Sequence, residues 1–150
     1  MIRVVLDTNI LVRAAANADG LAARLLREIA AGPHVLITSP YILGVLTRVL
    51  AYPRLQARWG LDPRRIQEYA NLLATVAEIV HPATVHHVVS SDPDDDSVVQ
   101  TAVTGRTGVL STRDAHLLDP GVVSYCAERG VRVMDDLALR RLLSQPRGRC

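Results

Sequence analysis

Short β-branched runs alternate with helix-period stretches along this chain, and that alternation narrows the available folds more than any other feature. The runs Ile2 to Leu6, Val35 to Thr38, Val109 to Ser111 and Val131 to Met134 are too short for helices and read as buried strands, with Glu78 to His81 a weaker fifth. Between them, apolar residues recur three and four positions apart: Leu21, Leu25, Leu26 and Ile29, then Ile42, Leu43, Leu46, Val49 and Leu50. Asp62 ahead of Pro63 signals a further helix bearing Ile66, Tyr69, Leu73 and Val76, and Asp135 caps a last one with Leu137, Leu142 and Leu143. Strands joined through helices demand right-handed crossovers, hence a mainly parallel sheet covered on both faces. The expected fold is an α/β, three-layer α/β/α sandwich over residues 1–143, followed by a loose basic tail over 144–150. Ala51 to Asp62 reads as a connection between helices.

At 150 residues the chain matches about one domain and needs no disulfide to fold. Its two cysteines, Cys126 and Cys150, show no ligand spacing, which points to a reducing cytoplasm. No stretch approaches the ~20 apolar residues of a membrane span and no leader pattern opens the chain, so the expectation is a cytoplasmic protein with no membrane partner. All 17 basic residues are arginine, whose guanidinium suits phosphate, yet a coding preference explains that excess equally well and a net charge of +2 singles out no partner.

Chemistry concentrates in the acids at strand-to-helix transitions. Asp7 ends the run Val4, Val5, Leu6 and precedes Thr8, Asn9 and another apolar run. One capping residue suffices for a helix, and here three stand in a row, leaving Thr8 and Asn9 to hold a carboxylate or a water beside it. Asp92, Asp94, Asp95 and Asp96 open a helix continuing through Val98, Val99, Ala102 and Val103. Asp92 as cap, Pro93 in the first turn and acids at the positive dipole end are ordinary helix chemistry. Four carboxylates in five positions exceed that need and repel one another without a cation, and Asp96, nearest the apolar run, is the expected inward-facing acid. Asp114 follows the strand ending at Ser111, with the Thr112 hydroxyl nearby, and is expected to cap a short helix containing Ala115, Leu117 and Leu118. The strand ends of a parallel sheet share one edge, so Asp7, Asp96 and Asp114 are expected to converge there as oxygen ligands for Mg²⁺ or Mn²⁺. Among the histidines, His86 and His87 are adjacent and point to different sides of any regular element, which makes them a poor ligand pair with His81. Glycine-rich phosphate loops, G-x-S-x-G and paired C-x-x-C motifs are absent from the sequence.

Four segments carry a family resemblance: V-V-L-D-T-N-I-L-V at Val4 to Val12, S-P-Y-I-L-G-V-L-T-R-V-L at Ser39 to Leu50, D-P-D-D-D at Asp92 to Asp96 and L-S-T-R-D-A-H-L-L at Leu110 to Leu118. In order and spacing the chain resembles PIN-domain proteins of the group that forms the toxin component of toxin/antitoxin pairs. The resemblance implies a metal-dependent endoribonuclease with Mg²⁺ or Mn²⁺ held by clustered acids, often a homodimer and inhibited by a cognate antitoxin. Carried onto this sequence, the catalytic and metal acids are Asp7, Asp96 and Asp114, supported by Thr8, Asn9, Asp92, Asp95 and Thr112, with Arg48 and Arg113 the expected RNA-binding arginines. The family's usual glutamate on the helix after the second strand registers at Val45, and Glu28 is the only acid between Asp19 and Asp62. Such a loss can weaken a metal site, which leaves a metal-dependent ribonuclease, impaired or not by Val45, as the first expectation and a non-catalytic module that binds RNA or a protein as the alternative. A phosphatase using Asp7 as nucleophile fares worse, because Asn9 stands where a second acid is wanted. On the helix bearing Val45, the residues Tyr41, Val45, Arg48 and Tyr52 share a face whose composition suits a dimer interface.

Overall fold

A computed structural model describes residues 1–83 and 93–145. Strands β1 (Arg3–Leu6), β2 (Val35–Thr38), β3 (Glu78–Ile79), β4 (Val109–Ser111) and β5 (Arg132–Met134) form one sheet in the order β3-β2-β1-β4-β5. Every pairing is parallel, with Val5 of β1 facing Ile37 on one side and Leu110 on the other. Strands covered on both faces need continuous apolar sequence, and Val4, Val5, Leu6, Ile37 and Leu110 are accordingly buried. Helix α1 (Thr8–Ala16) packs on α2 (Leu21–Ala30), which also touches β2 and the last helix, α8 (Asp136–Ser144). Across the sheet, α6 (Pro93–Thr104) lies over β1, β2 and β4, with α3 (Pro40–Leu50) beside it and α5 (Pro63–Val76) against α3. The result is the three-layer α/β/α sandwich expected from the strand–helix alternation. No described helix is long and apolar enough to cross a membrane.

Local chemistry explains the element ends. Asp62 accepts the Arg65 N–H at 2.8 Å and Asp135 accepts the Ala138 N–H at 2.8 Å, as their sequence positions suggested. Ser39 caps α3, and its hydroxyl also meets the Thr101 hydroxyl of α6 at 2.7 Å in a buried contact that ties the two helices together. Gly105 ends α6 where a Cβ would come within 2.7 Å of Ile37 on β2, so only glycine permits that approach.

Three expectations need correction. The connection Ala51 to Asp62 contains a helix, α4 (Pro53–Trp59), begun by Pro53 and ended by Gly60 at φ 62°. It buries no residue fully, so it lacks the apolar stripe by which the other helices are recognised. Residues 115–118 form a turn rather than a helix, with the Leu117 and Leu118 N–H groups both on the Asp114 carbonyl at 3.1 Å, before α7 (Pro120–Ala127) begins. At the sheet edge β3 stops at Ile79, although the Val80 N–H still reaches the Thr38 carbonyl at 2.9 Å. The expectations for His86, His87 and Asp92, and for the tail from residue 146 onward, lie outside the described residues.

Candidate metal centre

In the order β3-β2-β1-β4-β5 the chain runs outward from β1 in one direction to β2 and returns on its other side as β4, which opens a crevice at the carboxyl ends of β1 and β4. Asp7 leaves β1 at that crevice, its N–H on the Ser111 carbonyl at 2.9 Å. Its side chain caps α1: Oδ1 accepts the Thr8 N–H at 2.7 Å, and Oδ2 accepts the hydroxyl of the fully buried Thr112 at 2.7 Å. The same Thr112 oxygen accepts the Asp114 N–H at 3.0 Å, so one hydroxyl fixes Asp7 relative to Asp114. Asp114 Oδ1 in turn accepts the His116 N–H at 2.9 Å and lies 3.0 Å from His116 Nδ1.

The third acid comes from α6. Asp95 precedes the buried Val98, Val99 and Ala102 by three, four and seven positions, which puts it on their inward stripe. Asp95, Asp114 and His116 each offer a ligand atom, all within 4.8 Å of one another. Asp7, Asp95 and Asp114 line a cavity of about 510 Å³, joined by Thr8, Asn9 and Asp94. Further lining comes from α1, through Val12 and Arg13, from α3, through Val45, Arg48 and Val49, from the α4 region, through Tyr52, Arg54, Leu55 and Trp59, and from Val98 of α6.

Asp7 and Asp114 thus face one cavity as the strand ends suggested, whereas Asp96 is not among its lining residues and is 2 % exposed. Helix geometry is the reason, since Asp96 sits a further 100° round α6 from Asp95. Arg48 is at the cavity but engaged with Asp94 at 2.5 Å, a contact that raises its pKa above the ordinary value. Arg113 turns away to the buried Asp136 at 2.7 Å and lines a neighbouring cavity. His116 was missed in the sequence, because a turn has no periodicity from which to read side-chain direction; the D-x-H spacing was its only signal. Val45 does line the cavity, so the position registered for the family's glutamate faces the acids and offers them no oxygen.

These residues fit a divalent cation. Closely packed carboxylates repel unless a positive charge lies among them; the carboxylate oxygens suit Mg²⁺ or Mn²⁺, and the one imidazole favours Mn²⁺ or another transition-metal ion over Mg²⁺. Asn9 Oδ1, on a residue lining the same cavity, is buried with no hydrogen-bond partner among the described residues, a further oxygen of the kind hard cations use.

The chain is similar to known proteins in sequence and in fold. Residues 3–116 match the sequence profile of the PIN domain. An uncharacterised protein of Methanocaldococcus jannaschii is 30% identical over 120 residues, covering 75% of this chain and 76% of that protein. The crystal structure of VapBC2 from Rickettsia felis bound to a DNA fragment from their promoter superposes with a TM-score of 0.60 over 89% of this chain and 100% of that one. At 13% identity that likeness concerns the fold.

Proposed function

The chain belongs to the PIN-domain family, and on that premise we propose that it is a divalent-metal endoribonuclease acting as the toxin of a toxin/antitoxin pair. The observation that carries this reading is the grouping of ligand atoms from Asp95, Asp114 and the exposed His116, at the edge of a cavity that Asp7, Asp95 and Asp114 line. Asp95 and Asp114 hold the cation, with Mg²⁺ or Mn²⁺ the ions intended, and Asp7 completes its carboxylate surroundings. When bound, the cation lowers the pKa of water and offsets charge on the phosphoryl oxygens. The Thr8 N–H and Thr112 hydroxyl keep the Asp7 carboxylate aimed, and Thr112 also sets the Asp114 backbone. Arg54 and Arg48 at the cavity rim attract the RNA phosphate, Arg48 by exchanging Asp94 for it.

Val45 in the cavity lining favours a second reading, a PIN module that binds RNA or a protein without cutting. Incubating purified protein with single-stranded RNA separates the two. Cleavage that Mn²⁺ supports and a chelator abolishes is the expected result; RNA bound but intact at saturating Mn²⁺ supports the module.

A further inference from the structure

The acid cavity does not end at α4. Arg13 and Trp59 line it and also line a second cavity of about 350 Å³, so the two spaces meet at the indole. The second space contains Arg58 and Arg113 and a single carboxylate, Asp136, which is buried and already paired with Arg113. Among the described residues no ion pair engages Arg13, Arg54 or Arg58. The Arg58 guanidinium stands 5.6 Å from the Trp59 ring centroid, and the indole is half-buried. Uncompensated guanidinium groups around a partly open aromatic face are what a single-stranded nucleic acid needs: charge along the backbone and a surface for a base. A folded protein partner needs no continuity with an acid cavity, whereas a strand held at the acids must leave by some path.

From this we propose that Trp59, with Arg13 and Arg58, forms a subsite that stacks one base and holds the adjoining phosphate of single-stranded RNA next to the acid cavity. The subsite rests on the reading that RNA is the substrate, and it assigns α4 the task of gripping the strand.

Trp59 is the only tryptophan in the chain, so indole emission reports this site alone. The test titrates the full chain, in chelator to prevent cleavage, with a single-stranded RNA of about eight nucleotides, within the length such sites span. Parallel titrations use an abasic ribose-phosphate oligomer of equal length and polyglutamate. RNA is expected to quench emission saturably, and the other two to leave it unchanged. Trp59→Ala should weaken binding of labelled RNA roughly 5- to 100-fold, the effect of losing one stacked base, with Mn²⁺ affinity by calorimetry unchanged. Trp59→Phe should recover part of the loss, and serves alone if the alanine variant does not fold. Arg13→Gln and Arg58→Gln should weaken binding and flatten its salt dependence.

RNA binding that leaves emission unchanged, or equal quenching by the abasic oligomer or polyglutamate, overturns the subsite. Cleavage with unquenched emission removes the subsite and leaves the nuclease reading. Quenching by RNA without cleavage under Mn²⁺ does the reverse.

Discussion

Asp95 and Asp96 are chain neighbours with different surroundings, and the helix period separates them. Asp95 lines the cavity together with Val98, three positions on, whereas Asp96 is buried outside that lining. Both acids have apolar residues at helical spacing, Val98, Val99 and Ala102 for the first and Val99 and Val103 for the second, so the sequence does not separate them. Asp95→Asn should therefore weaken Mn²⁺ binding by ~10- to 100-fold in calorimetry, while Asp96→Asn shifts thermal stability more than affinity. Val45→Glu adds an oxygen to the cavity and should raise Mn²⁺ affinity and RNA cleavage within the same ~10- to 100-fold range. A folded Val45→Glu protein with neither gain would show that this position does not limit the site. One turn along α1 from Asp7, the Leu11 carbonyl accepts the Tyr69 hydroxyl at 2.7 Å, and burial raises the tyrosine pKa well above its ordinary value of about 10. The unfolded chain then ionises first, so this contribution to stability is intact below about pH 10 and fades as pH rises beyond it. Tyr69→Phe should flatten the alkaline limb of the denaturation profile.

At the scale of elements, helices with an apolar stripe or a cap were legible and α4 was not. Pro53 and Gly60 mark its ends, but its seven residues carry a single apolar pair, Leu55 and Trp59, which packs only partly against the core and is too short a pattern for periodicity to register. Its packing is decided by neighbours that the sequence does not identify. The turn after Asp114 failed for the opposite reason, since Leu117 and Leu118 suggest a stripe while Pro120 starts a new helix only six residues on. Caps carry measurable energy: with Asp135 on the Ala138 N–H, Asp135→Ala should cost ~1 kcal/mol in urea unfolding. An unchanged midpoint would mean that α8 is held by its packing on α2 and β4 and by the Arg113–Asp136 pair rather than by its cap.

For the whole molecule, alternation of strand and helix fixes the sandwich and its parallel sheet, yet strand order comes from packing. The shared strand-end edge was legible, and the order β3-β2-β1-β4-β5 adds that β1 and β4 are neighbours, which puts Asp7 and Asp114 on either side of one crevice. The face expected at a dimer interface is not on one helix: α3 ends at Leu50 and Tyr52 precedes α4, so Val45, Arg48 and Tyr52 line the cavity from two elements, while Tyr41 lies outside it and is exposed. We expect a homodimer in which the cavity stays open to substrate, and light scattering that gives a monomer mass at high micromolar concentration would count against it. The central claim is that the acids at the β1–β4 crevice hold the cation. A manganese-edge anomalous difference map from crystals grown with Mn²⁺ tests it most directly. The expected result is a peak bounded by Asp95, Asp114 and His116 with Asp7 nearby; a peak elsewhere, or none in crystals of protein that cleaves RNA with Mn²⁺, would contradict it.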